Sequence, residues 1–207
     1  MKHVPSKTYL KNPTHASSLP YWKIDIVNPP EGIEIRGEGK FSLSSRYRVD
    51  EAYFKLIHHL ENLQEPQLPE GYEIASLTSK EFAEHINSCF KDIGTSEEEL
   101  EENKNLPVYD ASYWLGIRDK KTNEVVATAI GELDKSIGEG VLEWVEVSEP
   151  HREKGLGHFL VNELLNRYKG RADFVIVSGR MNNPSRPVDL YTSCGFEDRY
   201  IWHVVAK

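Results

Sequence analysis

The segment His151–Gly157 reads HREKGLG and lies between a strand-like run, GVLEWVEV, and a helix-like one, HFLVNELLNRYK. The first turn of a helix carries backbone N–H groups without intrahelical acceptors, together with a partial positive charge. Gly155 and Gly157 remove the Cβ atoms that would keep an anion from those groups, and Arg152 and Lys154 add full positive charges. A phosphate or pyrophosphate is the ligand that this combination suits. Two phosphate-binding patterns are excluded by spacing. The P-loop pattern G-x-x-x-x-G-K-[ST] is absent, and G-x-G-x-x-G fails at its third position, where Leu160 stands.

Just upstream, Glu143 and Glu146 interrupt the apolar strand. A carboxylate among apolar neighbours titrates higher, which suits a general base. Strict alternation predicts Glu143 on the face of Val141, Val145 and Val147, with Glu146 on the other. Glu143 is the preferred base and Glu146 the second. His151 and His203 are weaker candidates for proton transfer. No metal is expected: His58-His59 are neighbours without an H-E-x-x-H pattern, and Cys89 and Cys194 are too far apart in sequence for a zinc ligand pair. The two cysteines read as free thiols, with Cys194 in the core.

These residues need elements to hold them. From Tyr72 the pattern is regular: a strand in YEIASL, a helix in KEFAEHINSCFKDI and an acidic helix in SEEELEENK. SYWLGIRD and EVVATAIGEL flank KKTNE as a hairpin. After the loop come a helix with Phe159, Leu160, Leu164, Leu165 and Tyr168 on one stripe, and ADFVIVSG, which suits a buried, parallel strand. A short helix around 187–193 and the strand YIWHVVA end the chain. The pattern predicts an α/β (α+β) fold with a mixed sheet. Residues 1–48 read as irregular, with strand-like pieces KIDIV and GIEIR. Tyr53, Leu56, Ile57, Leu60 and Leu63 are spaced for a helix over about 50–64, with Asp50 as its cap. EPQLPEG marks a boundary, giving an N-terminal extension, 1–68, and a second domain, 69–207.

VEVSEPHREKGLGHFLVNELL resembles the acetyl-CoA-binding motif of the GNAT superfamily of N-acyltransferases, and LYTSCGF (190–196) resembles that family's L-Y-x-x-x-G-F segment. The two occur in the family's order, with one strand between, and the resemblance covers about residues 71–207. It implies a mostly antiparallel, twisted sheet flanked by helices, with a splayed central strand pair. It implies acetyl-CoA as co-substrate, without a metal, and direct acyl transfer to an amine. The backbone of Arg152, Glu153, Lys154, Gly155, Leu156 and Gly157 would hold the pyrophosphate. Val145 and Val147 would bind the pantetheine through their backbone, and Tyr191 would protonate the leaving thiolate. Ser178 and Arg180 would line the acceptor cleft. One departure is visible: Asn183 lies eight residues before Tyr191, not seven, which implies a one-residue insertion and a helix starting at Pro187. Asn183 is carried over as a cofactor-side residue at that offset.

Composition bounds the class. Net charge is −8, with 33 acidic and 25 basic residues, so nucleic acid is not an expected partner. No apolar run suits a signal peptide or a membrane span, and the cytoplasm is the expected location. The expected partner is a small-molecule or peptide amine, and the expected state a monomer or homodimer. A competing reading is an acyl-CoA-binding module without turnover, used as a sensor or structural subunit.

Overall fold

The computed structural model describes residues 4–41, 49–90 and 92–206. Its strands are β1 (Ile33–Gly37), β2 (Val49–His58), β3 (Tyr72–Ala75), β4 (Trp114–Asp119), β5 (Val125–Asp134), β6 (Glu139–Val147), β7 (Phe174–Arg180) and β8 (Glu197–Ala206). They form one eight-stranded sheet in the order β1-β8-β2-β7-β6-β5-β4-β3. All pairs among these strands are antiparallel except β6–β7. The helices are α1 (Ser6–Tyr9), α2 (Pro13–Ala16), α3 (Ser79–Cys89), α4 (Glu97–Asn103), α5 (Leu156–Tyr168) and α6 (Pro187–Ser193). This is the expected mixed, mostly antiparallel sheet flanked by helices.

The helices start where local chemistry stops the chain from extending. Thr78 and Glu81 form a reciprocal capping box on α3, and Ser96 and Glu99 form one on α4. Pro187 occupies the first turn of α6, as the sequence suggested. One face of the sheet carries α5 and α6 over a core that includes Leu115, Leu142, Leu160, Leu164 and Val177. The other face is covered by α3 and α4 around Phe82, Ile86 and Ile130, and by the N-terminal residues around Tyr9, Ile24 and Val141.

The predicted helix at 50–64 is wrong. Residues 49–58 form β2, a central strand between β7 and β8. Phe54, Lys55, Leu56, Ile57 and His58 are all buried, because the strand is covered on both faces. Such a strand shows no polar alternation, and a short apolar run of this kind imitates a helical stripe. Asp50 caps nothing; it meets His203 Nδ1 at 2.9 Å across the β2–β8 pair. KIDIV is not a strand either: it runs from the 3₁₀ turn Tyr21–Lys23 into further turns. GIEIR is β1, and the irregular segment expected at 42–48 lies outside the described residues. Strands from before residue 68 are therefore built into the same sheet as those after it.

Candidate active site

The parallel pair β6–β7 opens partway along. Glu139–Leu142 pair with Phe174–Val177, and the ladder stops there. Trp144, Val145, Glu146 and Val147 stay paired to β5 alone, so the edge of β6 that faced β7 loses its ladder partner. The sheet splays between Glu143 and Ser178. At the far end of the splayed segment sits HREKGLG.

A β-bulge lies at the same place. Ile130 pairs with Trp144 and Gly131 with Leu142, so Glu143 is an extra residue on β6. A bulge reverses the alternation beyond it. Val145 and Val147 pack against the α5-side core, whereas Val141 belongs to the N-terminal cluster on the other face. Glu146 sits opposite Thr128, whose hydroxyl is bonded by His85 of α3 at 2.9 Å. Glu143 pairs with Lys23, which also reaches Glu132 at 3.7 Å. The expected grouping of Glu143 with Val145 and Val147 thus fails: both glutamates lie on the α3 and N-terminal face, and the two valines on the other.

Their surroundings differ. Burial pushes the Glu146 carboxyl up to about 8, against an opposing pull from Arg152. Glu143 is instead engaged in an ion pair. Lys23 is held above its ordinary range, because Glu143 and Glu132 together outweigh the burial that works against its charge. Tyr191 is 6% exposed on α6, between the rings of Phe54 and Phe196. Its phenol is raised above the ordinary range by burial first, then by the charges of Glu146 and Cys194. Tyr191 from the α6 side and Glu146 from the α3 side thus sense one another across the splayed strands. Cys194 is buried and pushed up to about 11 by that burial, so it is an inert core thiol at neutral pH.

The loop itself is built as follows. A 3₁₀ turn, Glu149–His151, leads to Arg152, whose Nε donates to the Val147 carbonyl at 3.0 Å. Arg152, Glu153, Lys154 and Gly155 are exposed and Leu156 is buried. Gly155 caps α5 with φ +86°, a left-handed conformation that a side chain disfavours. The Phe159 amide bonds the Gly155 carbonyl at 3.0 Å, so the amides of Leu156, Gly157 and His158 precede the first i−4 acceptor. Gly157 has a second reason to be glycine: a Cβ there would meet Leu190 of α6 at 3.1 Å. These amides at the start of α5 are the groups the loop can offer an anion. Asn183 Oδ1 accepts from Ser185 N (3.0 Å) and Oγ (2.8 Å), so its amide nitrogen is the side-chain group it can offer a ligand.

The splay opens onto a cavity of about 280 Å³ on the N-terminal face. Ser178 and Trp202 line it, as does Glu143; Arg180 instead binds Asp92 and the Tyr53 hydroxyl. Sequence reasoning missed Lys23, Ile35 and Tyr53 as wall residues, because their segment carries no motif. It also missed His85, buried between Thr128 and Ser148 Oγ (3.0 Å) and titrating below its usual range through burial. Among the described residues no cluster of three His, Cys, Asp or Glu could hold a metal. Nor is any described helix long and apolar enough to cross a membrane.

A family model, the acetyltransferase (GNAT) family, matches residues 72–196. No curated protein matches the chain. Among solved structures, a GCN5-related N-acetyltransferase from Sphaerobacter thermophilus superposes with TM-score 0.65 at 22% identity, over 76% of this chain and 52% of that one. Another GCN5-related N-acetyltransferase, from Kribbella flavida, gives 0.51 at 18% identity over 84% and 60%. Ard1 from Thermoplasma volcanium gives 0.52 at 16% identity over 66% of this chain and 99% of its own. At these identities the likeness concerns the fold, and the chain spans about half the length of the first of the three.

Proposed function

The chain belongs to the GNAT acetyltransferase family, and on that premise we propose that it transfers an acetyl group from acetyl-CoA to a primary amine. The observation that carries this is the splay of β6 from β7 beyond Leu142 and Val177, with the amides of Leu156, Gly157 and His158 ahead of the first helical acceptor at one end and a raised carboxyl and phenol nearby. Acetyl-CoA supplies the acyl group. Backbone N–H groups of Arg152 through Gly157 hold its pyrophosphate, helped by the charges of Arg152 and Lys154. Backbone groups of Val145 and Val147 on the unpaired edge of β6 hold the pantetheine and favour the charge that develops on the thioester oxygen. Asn183 contributes its free amide nitrogen on the same side.

The acceptor arrives as an ammonium. A lysine-like amine titrates near 10.4, so reaching the neutral form costs about 4.6 kcal/mol at pH 7. We assign the general base to Glu146, whose titration near 8 is matched to this work, rather than to Glu143, whose charge Lys23 already holds. Glu146 takes one ammonium proton. The nitrogen lone pair then forms the N–C bond to the carbonyl carbon, and the C–S bond breaks with its electron pair on sulfur. Tyr191 gives its proton to that sulfur and recovers one from the acylated nitrogen. A thiol is ordinarily more acidic than a phenol, and burial widens the gap. Tyr191 therefore serves as a relay between nitrogen and sulfur.

The test is thermal unfolding with and without acetyl-CoA, followed by thiol release with amines. At 100 times the dissociation constant, binding adds about 2.7 kcal/mol. That is roughly 5–11 °C for a chain of this size. Lys154→Glu, at an exposed position, is expected to weaken the shift. Stabilisation without thiol release on any amine supports the non-catalytic module instead, and no stabilisation refutes acetyl-CoA as the ligand.

A further inference from the structure

The cavity at the splay is built mostly by residues outside the region that matches the family. Of its fifteen described lining residues, nine lie before 72 or after 196. The N-terminal segment supplies Ser18, Leu19, Pro20 and Lys23, β1 supplies Ile35, and β8 supplies Trp202 and Val204. That segment is fastened down by buried polar contacts. Lys55 Nζ, fully buried, donates to the carbonyls of Ser17 and Leu19, both at 2.9 Å. The Glu139 carboxylate accepts from the Tyr9 hydroxyl and, at 2.8 Å, from the Tyr21 amide. Trp22 Nε1 donates to Glu132 at 2.8 Å. Residues 9–23 are thus a fixed wall of the cavity.

The charges of the wall are largely spent internally. Glu143, the only carboxylate among the described lining residues, is paired with Lys23, which also leans toward Glu132. A second ammonium placed here finds its counter-charge already neutralised. The remaining surface is chiefly aliphatic and aromatic, and apolar burial is what it offers an occupant. We propose that this cavity receives the acceptor, and that the acceptor class is a compact monoamine with an apolar body, in preference to polyamines and aminoglycosides. The amine end points into the splay past Ser178, toward the stretch of β6 that carries Glu146, and the apolar body lies against Leu19, Ile35 and Trp202. Acceptor choice then resides in the N-terminal segment and the last strand. This rests on the acetyl-transfer reading above.

The experiment compares 2-phenylethylamine with spermidine by thiol release at saturating acetyl-CoA, in the wild type, Ile35→Glu and Leu19→Glu. Leu19 lies in an irregular segment and Ile35 on an edge strand, so one variant remains informative if the other fails to fold. The expected wild-type kcat/KM ratio favours 2-phenylethylamine by about 10-fold or more, the scale on which an apolar pocket discriminates. Either variant is expected to reduce that ratio by about 10-fold, with the acetyl-CoA thermal shift unchanged. Equal or better use of spermidine by the wild type overturns the proposal, as does a ratio that neither variant moves. So does acetyl-CoA stabilisation without acetylation of 2-phenylethylamine; each of these leaves cofactor binding intact. Loss of the acetyl-CoA shift itself in the wild type instead marks failure of the underlying transfer reading.

Discussion

Glu146→Gln is expected to stabilise the protein and to cripple it. The carboxyl titrates near 8 in the folded chain and near 4.5 when exposed. A folded value raised in this way favours the protonated form. The associated stability is full below pH 4.5 and is lost as the pH rises through 8. The difference between the two values, at 1.36 kcal/mol for each, gives a loss of up to roughly 5 kcal/mol above pH 8 and roughly 3 at pH 7. Glutamine has nearly the same shape and no charge, so it escapes the loss. For a chain of this size, roughly 3 kcal/mol corresponds to about 6–12 °C. The assay is thermal unfolding of both proteins at pH 4, 7 and 8.5. The expected melting temperatures coincide at pH 4 and diverge in favour of the variant as pH rises. On the catalytic side, kcat/KM of the wild type is expected to climb with pH to a plateau above about 8. Glu146→Gln is expected to lose about 100- to 10,000-fold and to lack that limb. A variant that is no more stable than wild type at pH 8.5, and that retains the rising limb, refutes both the burial argument and the assignment of the base.

Three further outcomes follow from the same geometry. Tyr191→Phe is expected to lower kcat about 10- to 10,000-fold. Its acetyl-CoA thermal shift stays in place, and undiminished turnover removes Tyr191 from the mechanism. Gly155→Ala forces a side chain into the left-handed cap of α5 and is expected to cost about 1–2 kcal/mol in urea unfolding; a cost near zero means the loop can take another path. Lys55→Met leaves the carbonyls of Ser17 and Leu19 without their buried donor and is expected to destabilise by about 1–3 kcal/mol for each. Unchanged unfolding in that variant would show that the N-terminal segment is not anchored through Lys55.

The sequence by itself determined the family and most of the elements that carry it. R-x-x-G-x-G and L-Y-x-x-x-G-F are local patterns, and a loop, a cap and a helix start are set by neighbours in the chain. The parallel strand ADFVIVSG was legible because its apolar run is short, rich in β-branched residues and closed by Ser178-Gly179. Three things were decided by tertiary structure alone. Residues 49–58 became a strand because β7 and β8 offer ladders on both sides, a non-local gain that outweighs an apolar spacing equally suited to a helix. The face of Glu146 was set by a bulge, one extra residue against β5 that reverses every side chain beyond it and that no period-two reading can foresee. The pairing of Glu143 with Lys23 joins residues 120 apart in sequence. That contact exists only because the N-terminal segment folds over the splay, and it is what separates two glutamates of one strand into an ion-pair partner and a raised carboxyl.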